Sequence, residues 1–138
     1  MGLTEIEKKA LMDLKVMRAN ETIKEVPYLL EQGFYRTAIN RMYYACYYIV
    51  SALLMQNSFE ARTHKGAITL FSLNFIKTGK INENAGKLYR SLFELRQTGD
   101  YDESKDISKE DVASRLKSAQ QFIKTIENLI NKNQKDKR

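Results

Sequence analysis

Apolar positions recur every three or four residues along almost the whole chain, a spacing that predicts helices from end to end. The first opens at Thr4, which makes a capping-box signature with Glu7, and continues through Ile6, Ala10, Leu14 and Met17, then Ile23, Val26 and Leu30. Pro27 falls inside it. A proline removes an intrahelical donor and clashes with the preceding turn, so a kink or short break is expected there. Gly33 closes the element. A second helix runs from about Tyr35 to Gln56 on a stripe of Ala38, Met42, Ala45, Ile49, Ala52 and Leu53, flanked by Tyr43, Tyr44, Tyr47 and Tyr48.

A loop from Asn57 to Arg62 follows, and Thr63 can cap a third helix carrying Ala67, Ile68, Phe71, Phe75 and Ile76, which stops at Gly79. Asn82 starts a fourth, where Ala85, Leu88, Leu92 and Leu95 repeat at three and four. Gly99 to Lys105 is polar and reads as irregular. Ser108 with Asp111 begins the last helix, whose stripe of Val112, Leu116, Ala119, Ile123, Ile126 and Ile130 is the cleanest heptad in the chain. Short connections between long amphipathic helices favour antiparallel neighbours. The sum is an all-α, up-down antiparallel bundle of four to five helices, one domain over residues 1–131 with a basic, frayed tail over 132–138.

Composition narrows this further. At 138 residues, 43% hydrophobic and 29% charged, the chain can bury roughly 68% of its unfolded surface and reads as globular. The one cysteine, Cys46, excludes an internal disulfide framework and a thiolate zinc site, and points to a reducing compartment. No segment approaches the ~20 apolar residues of a membrane helix. The opening MGLTEIEKKALMDLK, charged from its fifth residue, does not read as a signal peptide. A cytoplasmic location with no membrane partner is the expectation. Half of the net charge of +6 sits in Lys132 to Arg138, so the body is mildly basic, and charge alone makes nucleic acid only one candidate partner.

Candidate chemistry is sparse. There is no Gly-rich phosphate loop, no His-Glu-x-x-His and no Glu-x-x-His pair, and with one histidine and one cysteine a histidine-rich metal centre or Cys-His nucleophile is hard to build. No metal and no cofactor is implied. Cys46, between Ala45 and Tyr47, reads as a small buried hydrophobe.

The most informative stretch is Arg96-Gln97-Thr98-Gly99-Asp100-Tyr101. Arg96 and Asp100 are four apart and share a face if the helix continues, an arrangement equally typical of an ordinary surface ion pair. Counting outward from the turn at Gly79 and Lys80 brings His64 level with Arg96. His64 also stands in the first turn of its helix, where the positive dipole end disfavours the imidazolium. It reads either as a structural histidine bridging two helices or as part of a site. An arginine, a histidine and a tyrosine at one end of a basic bundle suit a phosphodiester. The guanidinium offers a fork to phosphate, and the imidazole can move a proton from a ribose 2′-hydroxyl or to the leaving 5′-oxygen. The tyrosines of the second helix could stack on bases, but at i, i+1, i+4 and i+5 they cover more than one face and fit bundle or dimer packing better. Arg41 is placed near the opposite end of the bundle from His64, outside this site.

Three stretches together resemble the HEPN superfamily, in particular its short, stand-alone bacterial and archaeal branch. They are Gly33-Phe34-Tyr35-Arg36-Thr37-Ala38-Ile39-Asn40-Arg41-Met42-Tyr43-Tyr44-Ala45, then His64-Lys65-Gly66 leading to Phe75-Ile76-Lys77-Thr78-Gly79-Lys80-Ile81, then Arg96 to Tyr101. The resemblance covers about residues 10–130. It implies a bundle of four to five helices, usually a homodimer with the functional groove at the dimer interface. Many members are metal-independent ribonucleases of toxin–antitoxin or defence systems; others bind RNA or nucleotides without cutting, and many are encoded beside a minimal nucleotidyltransferase partner. The active branches carry an arginine, four to six residues, then a histidine. Arg96 matches the arginine and Gln97 the polar residue after it, but Tyr101 stands where the histidine is expected, and no histidine follows Arg96. Tyrosine, with a pKa near ~10, is a poor base at neutral pH but can donate a proton or bind phosphate.

Two readings therefore stand. In the first, Arg96 clamps a phosphate of RNA or a nucleotide, Gln97 and Asp100 help to bind or orient it, and His64 or Tyr101 handles the proton of a metal-independent cleavage. In the second, the chain is a non-catalytic dimeric module that partners a minimal nucleotidyltransferase.

Overall fold

The computed structural model describes residues 2–101 and 106–136, with the side chains of 99–101 left undescribed. Five α-helices make up the fold, and among the described residues there is no strand: α1 (Glu5–Glu31), α2 (Tyr35–Gln56), α3 (His64–Phe71), α4 (Glu83–Tyr101) and α5 (Lys109–Asp136). Their starts follow from local chemistry. The Thr4 hydroxyl accepts from the Glu7 N–H while Glu7 accepts from the Thr4 N–H, and Ser108 and Asp111 repeat the exchange at α5. Thr63 accepts from the Gly66 N–H at the start of α3. Helix ends are equally specific. Gly33 at φ +82° and Ser58 at φ +61° each occupy the left-handed position after a helix, and the next residue's N–H closes onto the helix: Phe34 to the Leu29 carbonyl and Phe59 to the Leu54 carbonyl, each at 2.9 Å.

The central element is α2, the helix that packs against every other one. Its stripe from Ala38 to Leu53 is fully buried, and so is Cys46. The α1 and α2 helices run antiparallel, and Lys8 near the start of α1 reaches Ser58 just past the end of α2. Gln56, buried at the end of α2, donates to the Ile130 carbonyl and accepts from Asn133, which locks α5 to α2 at that end. Buried Val112, Ala119, Phe122, Ile123, Ile126 and Ile130 seat α5 on the core.

Four local expectations are revised. The buried stripe of α1 is Met12, Ala19, Ile23 and Val26, whereas Ile6, Ala10 and Met17 face solvent. Met17 to Ile23 is a step of six residues, which at ~100° per residue rotates the face by roughly 240°. One side of the helix cannot carry both runs. The helix also passes Pro27 without interruption. Pro27 is exposed, so water can take over the carbonyl it leaves free, and buried Val26 with half-buried Leu30 holds the turn against α2. The third helix does not run as one to Gly79: α3 gives way to a π turn over Ser72–Ile76, with the Lys77 N–H bonded five residues back to the Ser72 carbonyl. Phe71 before the turn and Phe75 within it both lie in the core, their rings stacked at 6.0 Å. Finally, Gly99–Tyr101 continue α4 instead of leaving it. At the other terminus α5 extends to Asp136.

Candidate functional site

The connection between α2 and α3 decides where the chemistry sits. Residues 57–63 climb back along α2 by about nine residues, ~13 Å of helix, which seven extended residues span comfortably. His64, the first residue of α3, is thereby delivered to the middle of α2. Its ring lies 4.5 Å from that of Tyr47, 5.5 Å from Tyr43 and 5.8 Å from Tyr44. The Tyr43 hydroxyl and His64 Nδ1 are 2.6 Å apart, a short hydrogen bond.

From the other side, α4 brings Arg96 over the same tyrosines. Its guanidinium carbon is 5.3 Å from the Tyr43 ring centre and 5.1 Å from that of Tyr44, and Nη2 donates to the Tyr44 hydroxyl at 3.2 Å. Both distances are within cation–π range. His64 and Arg96, 32 residues apart in sequence, therefore meet across one layer of aromatic rings supplied by α2. Arg41 belongs here too. Its guanidinium is 5.6 Å from the Tyr44 ring, which corrects the expectation that it lies at the far end of the bundle. That expectation assumed that α3 starts where α2 stops, and the returning connection removes the assumption.

The electrostatics are set by burial beside positive charge. His64 is held below its ordinary value, first by burial and then by Arg96, so the imidazole is neutral at neutral pH. Burial raises the Tyr43 hydroxyl, with Arg96 pulling the other way, and it stays protonated. A neutral phenol facing a neutral imidazole has two settings. With Tyr43 donating to Nδ1, His64 presents Nε2–H as a donor. With Nδ1–H donating to Tyr43, Nε2 is a free base. Behind Tyr43, the ring of Tyr89 stacks at 6.1 Å. The Tyr89 hydroxyl is buried without a hydrogen-bond partner of ordinary geometry, and burial pushes its ionisation far up. Burial also raises the Cys46 thiol, which keeps it inert.

Of the residues singled out from sequence, His64 and Arg96 are brought together. Gln97 is exposed on the next position of α4. Asp100 and Tyr101 fall in the last turn of α4, and their side chains lie outside the described residues. Sequence reasoning passed over Tyr43, Tyr44 and Arg41 as site components. The signal was present in the i, i+3 spacing of Arg41 and Tyr44 and the i, i+4 spacing of Tyr43 and Tyr47, which put a cation and two stacked rings on adjoining columns of one helix. Among the described residues no cluster of three or more histidine, cysteine or carboxylate side chains could hold a metal ion, and no helix is long and apolar enough to cross a membrane.

Comparison with known proteins agrees with this architecture. The model of the HEPN domain matches residues 12–129. A protein of Thermotoga maritima named "UPF0332 protein" is 38% identical, the match covering 90% of this chain and 94% of the relative. Two proteins of Methanocaldococcus jannaschii are each 30% identical. "Putative toxin MJ0142" is matched over 96% of this chain and 91% of its own length, and "Putative toxin MJ0605" over 81% and 83%.

Proposed function

The chain belongs to the HEPN family, and from that premise we propose that it binds the phosphate of RNA or a nucleotide through Arg96 and His64 and cleaves RNA without a metal ion, as a toxin or defence ribonuclease. One observation carries the reading: the single histidine, absent from the expected place after Arg96, stands against the same tyrosines as Arg96. Two relatives bearing the name of toxin support it.

In this reading each residue has a role in a cleavage that needs no metal. In the setting where Nδ1–H donates to Tyr43, His64 Nε2 takes the proton of the ribose 2′-hydroxyl. The 2′-oxygen attacks phosphorus, and the bond to the 5′-oxygen breaks. Arg96 stabilises the charge gathered on the phosphoryl oxygens. Asp100 orients the guanidinium, Gln97 adds a donor, and Tyr101 or the protonated His64 returns a proton to the leaving 5′-oxygen. A cyclic 2′,3′-phosphate and a 5′-hydroxyl are the products. The protein acts as a homodimer.

The test is RNA cleavage by the purified protein in EDTA, with Arg96→Ala and His64→Ala alongside. Cleavage that is lost in both variants supports the reading; cleavage retained in His64→Ala refutes the role of the imidazole. The alternative is a non-catalytic dimeric module that docks a minimal nucleotidyltransferase, favoured by Tyr101 standing where active relatives carry histidine. In that case no variant cleaves, RNA binding is insensitive to Arg96→Ala, and the same substitution lowers stability.

A further inference from the structure

A cavity of about 220 Å³ adjoins this site, lined by Lys15 of α1, Tyr47, Ser51, Leu54 and Met55 of α2, Phe59 and Glu60 of the connection, and Ala67 of α3. Tyr47 is common to both: its ring walls the cavity and lies 4.5 Å from His64. Ala67 is one turn beyond His64 on α3. Sites for drug-sized ligands span ~300–1,000 Å³, so this one suits a single planar heterocycle better than a whole nucleotide.

Its polar groups are unspent. Lys15 is half-buried, and burial followed by the charge of Arg18 pulls its ammonium below the ordinary value. Half-buried ammonium groups normally sit beside a carboxylate. Lys15 has none within ion-pair range, although Glu60 lines the same cavity, and neither Lys15, Ser51 nor Glu60 hydrogen-bonds to any described side chain. Lys15 and the exposed Glu60 thus line one cavity without pairing, which leaves a donor and a two-oxygen acceptor open to a ligand. Tyr47 and Phe59 offer aromatic surface beside it.

We propose that this cavity is a base pocket of the phosphate site and selects guanine. The edge of guanine presents the O6 acceptor beside two adjacent donors, N1–H and N2–H₂. Lys15 donates to O6, and both oxygens of Glu60 are engaged by N1–H and N2–H₂. Adenine offers the carboxylate only one donor group, and uracil only N3–H. The inference rests on the phosphate reading for the position of the attached ribose phosphate, but the pocket itself is defined by other residues.

Calorimetric titration in EDTA with GMP, AMP, guanosine and ribose 5-phosphate separates the two. The probes are compared on wild type, Lys15→Met, Glu60→Gln and Arg96→Ala, with thermal melts to confirm folding. Lys15→Met keeps the buried stem, so packing survives. GMP is expected to bind on the order of tenfold more tightly than AMP. That preference vanishes in Lys15→Met and Glu60→Gln, while ribose 5-phosphate binds both as it binds wild type. Equal binding of GMP and AMP, with ribose 5-phosphate still dependent on Arg96, overturns the pocket and leaves the phosphate site standing. Guanosine binding that needs Lys15, with no ligand dependent on Arg96, upholds the pocket and overturns the phosphate site. If neither GMP nor guanosine binds, the pocket is refuted.

Discussion

Removal of the Tyr43 hydroxyl isolates the bond that joins α2 to the only histidine. The Tyr43 ring is fully buried, stacked on Tyr47 and Tyr89, so Tyr43→Phe keeps its packing and deletes one neutral hydrogen bond, that to His64 Nδ1 at 2.6 Å. Such a bond contributes about 0.5–1.5 kcal/mol net. His64 is only half-buried, so water can partly replace the lost partner, and the expected loss is ~1 kcal/mol, or a few degrees in Tm for a chain of this length. Tyr89→Phe is the matched control. Its hydroxyl is buried with no hydrogen bond of ordinary geometry, only a poorly aligned approach to the Tyr43 hydroxyl, and relief of that desolvation makes the variant as stable as wild type or more so, by up to ~1–3 kcal/mol. Two identical chemical changes, on rings 6.1 Å apart, should thus move stability in opposite directions. Urea unfolding at pH 7.5 measures both, provided the slope m is unchanged. A Tyr43→Phe variant as stable as wild type, or a Tyr89→Phe variant that loses more than Tyr43→Phe, would refute the assignment of which hydroxyl is bonded. The double variant checks coupling, since touching sites need not add.

Stability should also depend on His64. Its native pKa lies below the unfolded value of ~6.5, so as pH falls through that value the unfolded chain takes up the proton first. The contribution is intact above about pH 6.5 and is lost progressively below it; urea midpoints between pH 7.5 and 5.5 should fall more steeply for wild type than for His64→Asn. Ser58 occupies a left-handed backbone position, at φ +61°, that disfavours side chains by roughly 1 kcal/mol. Ser58→Gly also gives up the long, exposed bond from Lys8, which contributes little, and is expected to raise stability by up to ~0.5 kcal/mol after the extra freedom of glycine in the unfolded chain; a lowered melting temperature would contradict this.

Much of the fold was legible because it depends on local rules. Thr4, Thr63 and Ser108 announce helix starts, Gly33 announces an end, and the stripes of α2 and α5 keep a constant face for about four and five turns. The face of α1 was misread because two apolar runs separated by a six-residue step look continuous in sequence. The π turn left no mark, since Ser72–Ile76 has ordinary helical composition. Within the site, the level match of His64 and Arg96 follows from the tight turn between the third and fourth helices, which fixes register. The tyrosines pack in the bundle as their spacing suggested, but Arg41 is placed differently because its neighbours are set by the path of residues 57–63, and nothing in Asn57-Ser58-Phe59-Glu60-Ala61-Arg62-Thr63 states that the chain doubles back.

That doubling back has a consequence for how an anion and a proton share the site. In the free protein Arg96 helps to keep His64 neutral, so the imidazole adds no charge. A phosphate bound between them cancels the field of the guanidinium and supplies a negative partner, and both changes favour the imidazolium. Binding must then take up a fraction of a proton near and below neutral pH. By linkage, affinity for phosphate rises as pH falls through the range in which the bound histidine titrates. Titration of dimethyl phosphate, a diester that does not ionise near neutral pH, in two buffers of different ionisation enthalpy measures that fraction directly. Proton uptake that disappears in His64→Asn is the expected result. Uptake that persists in His64→Asn would assign the proton to another group, and its absence from wild type would place the phosphate away from the imidazole.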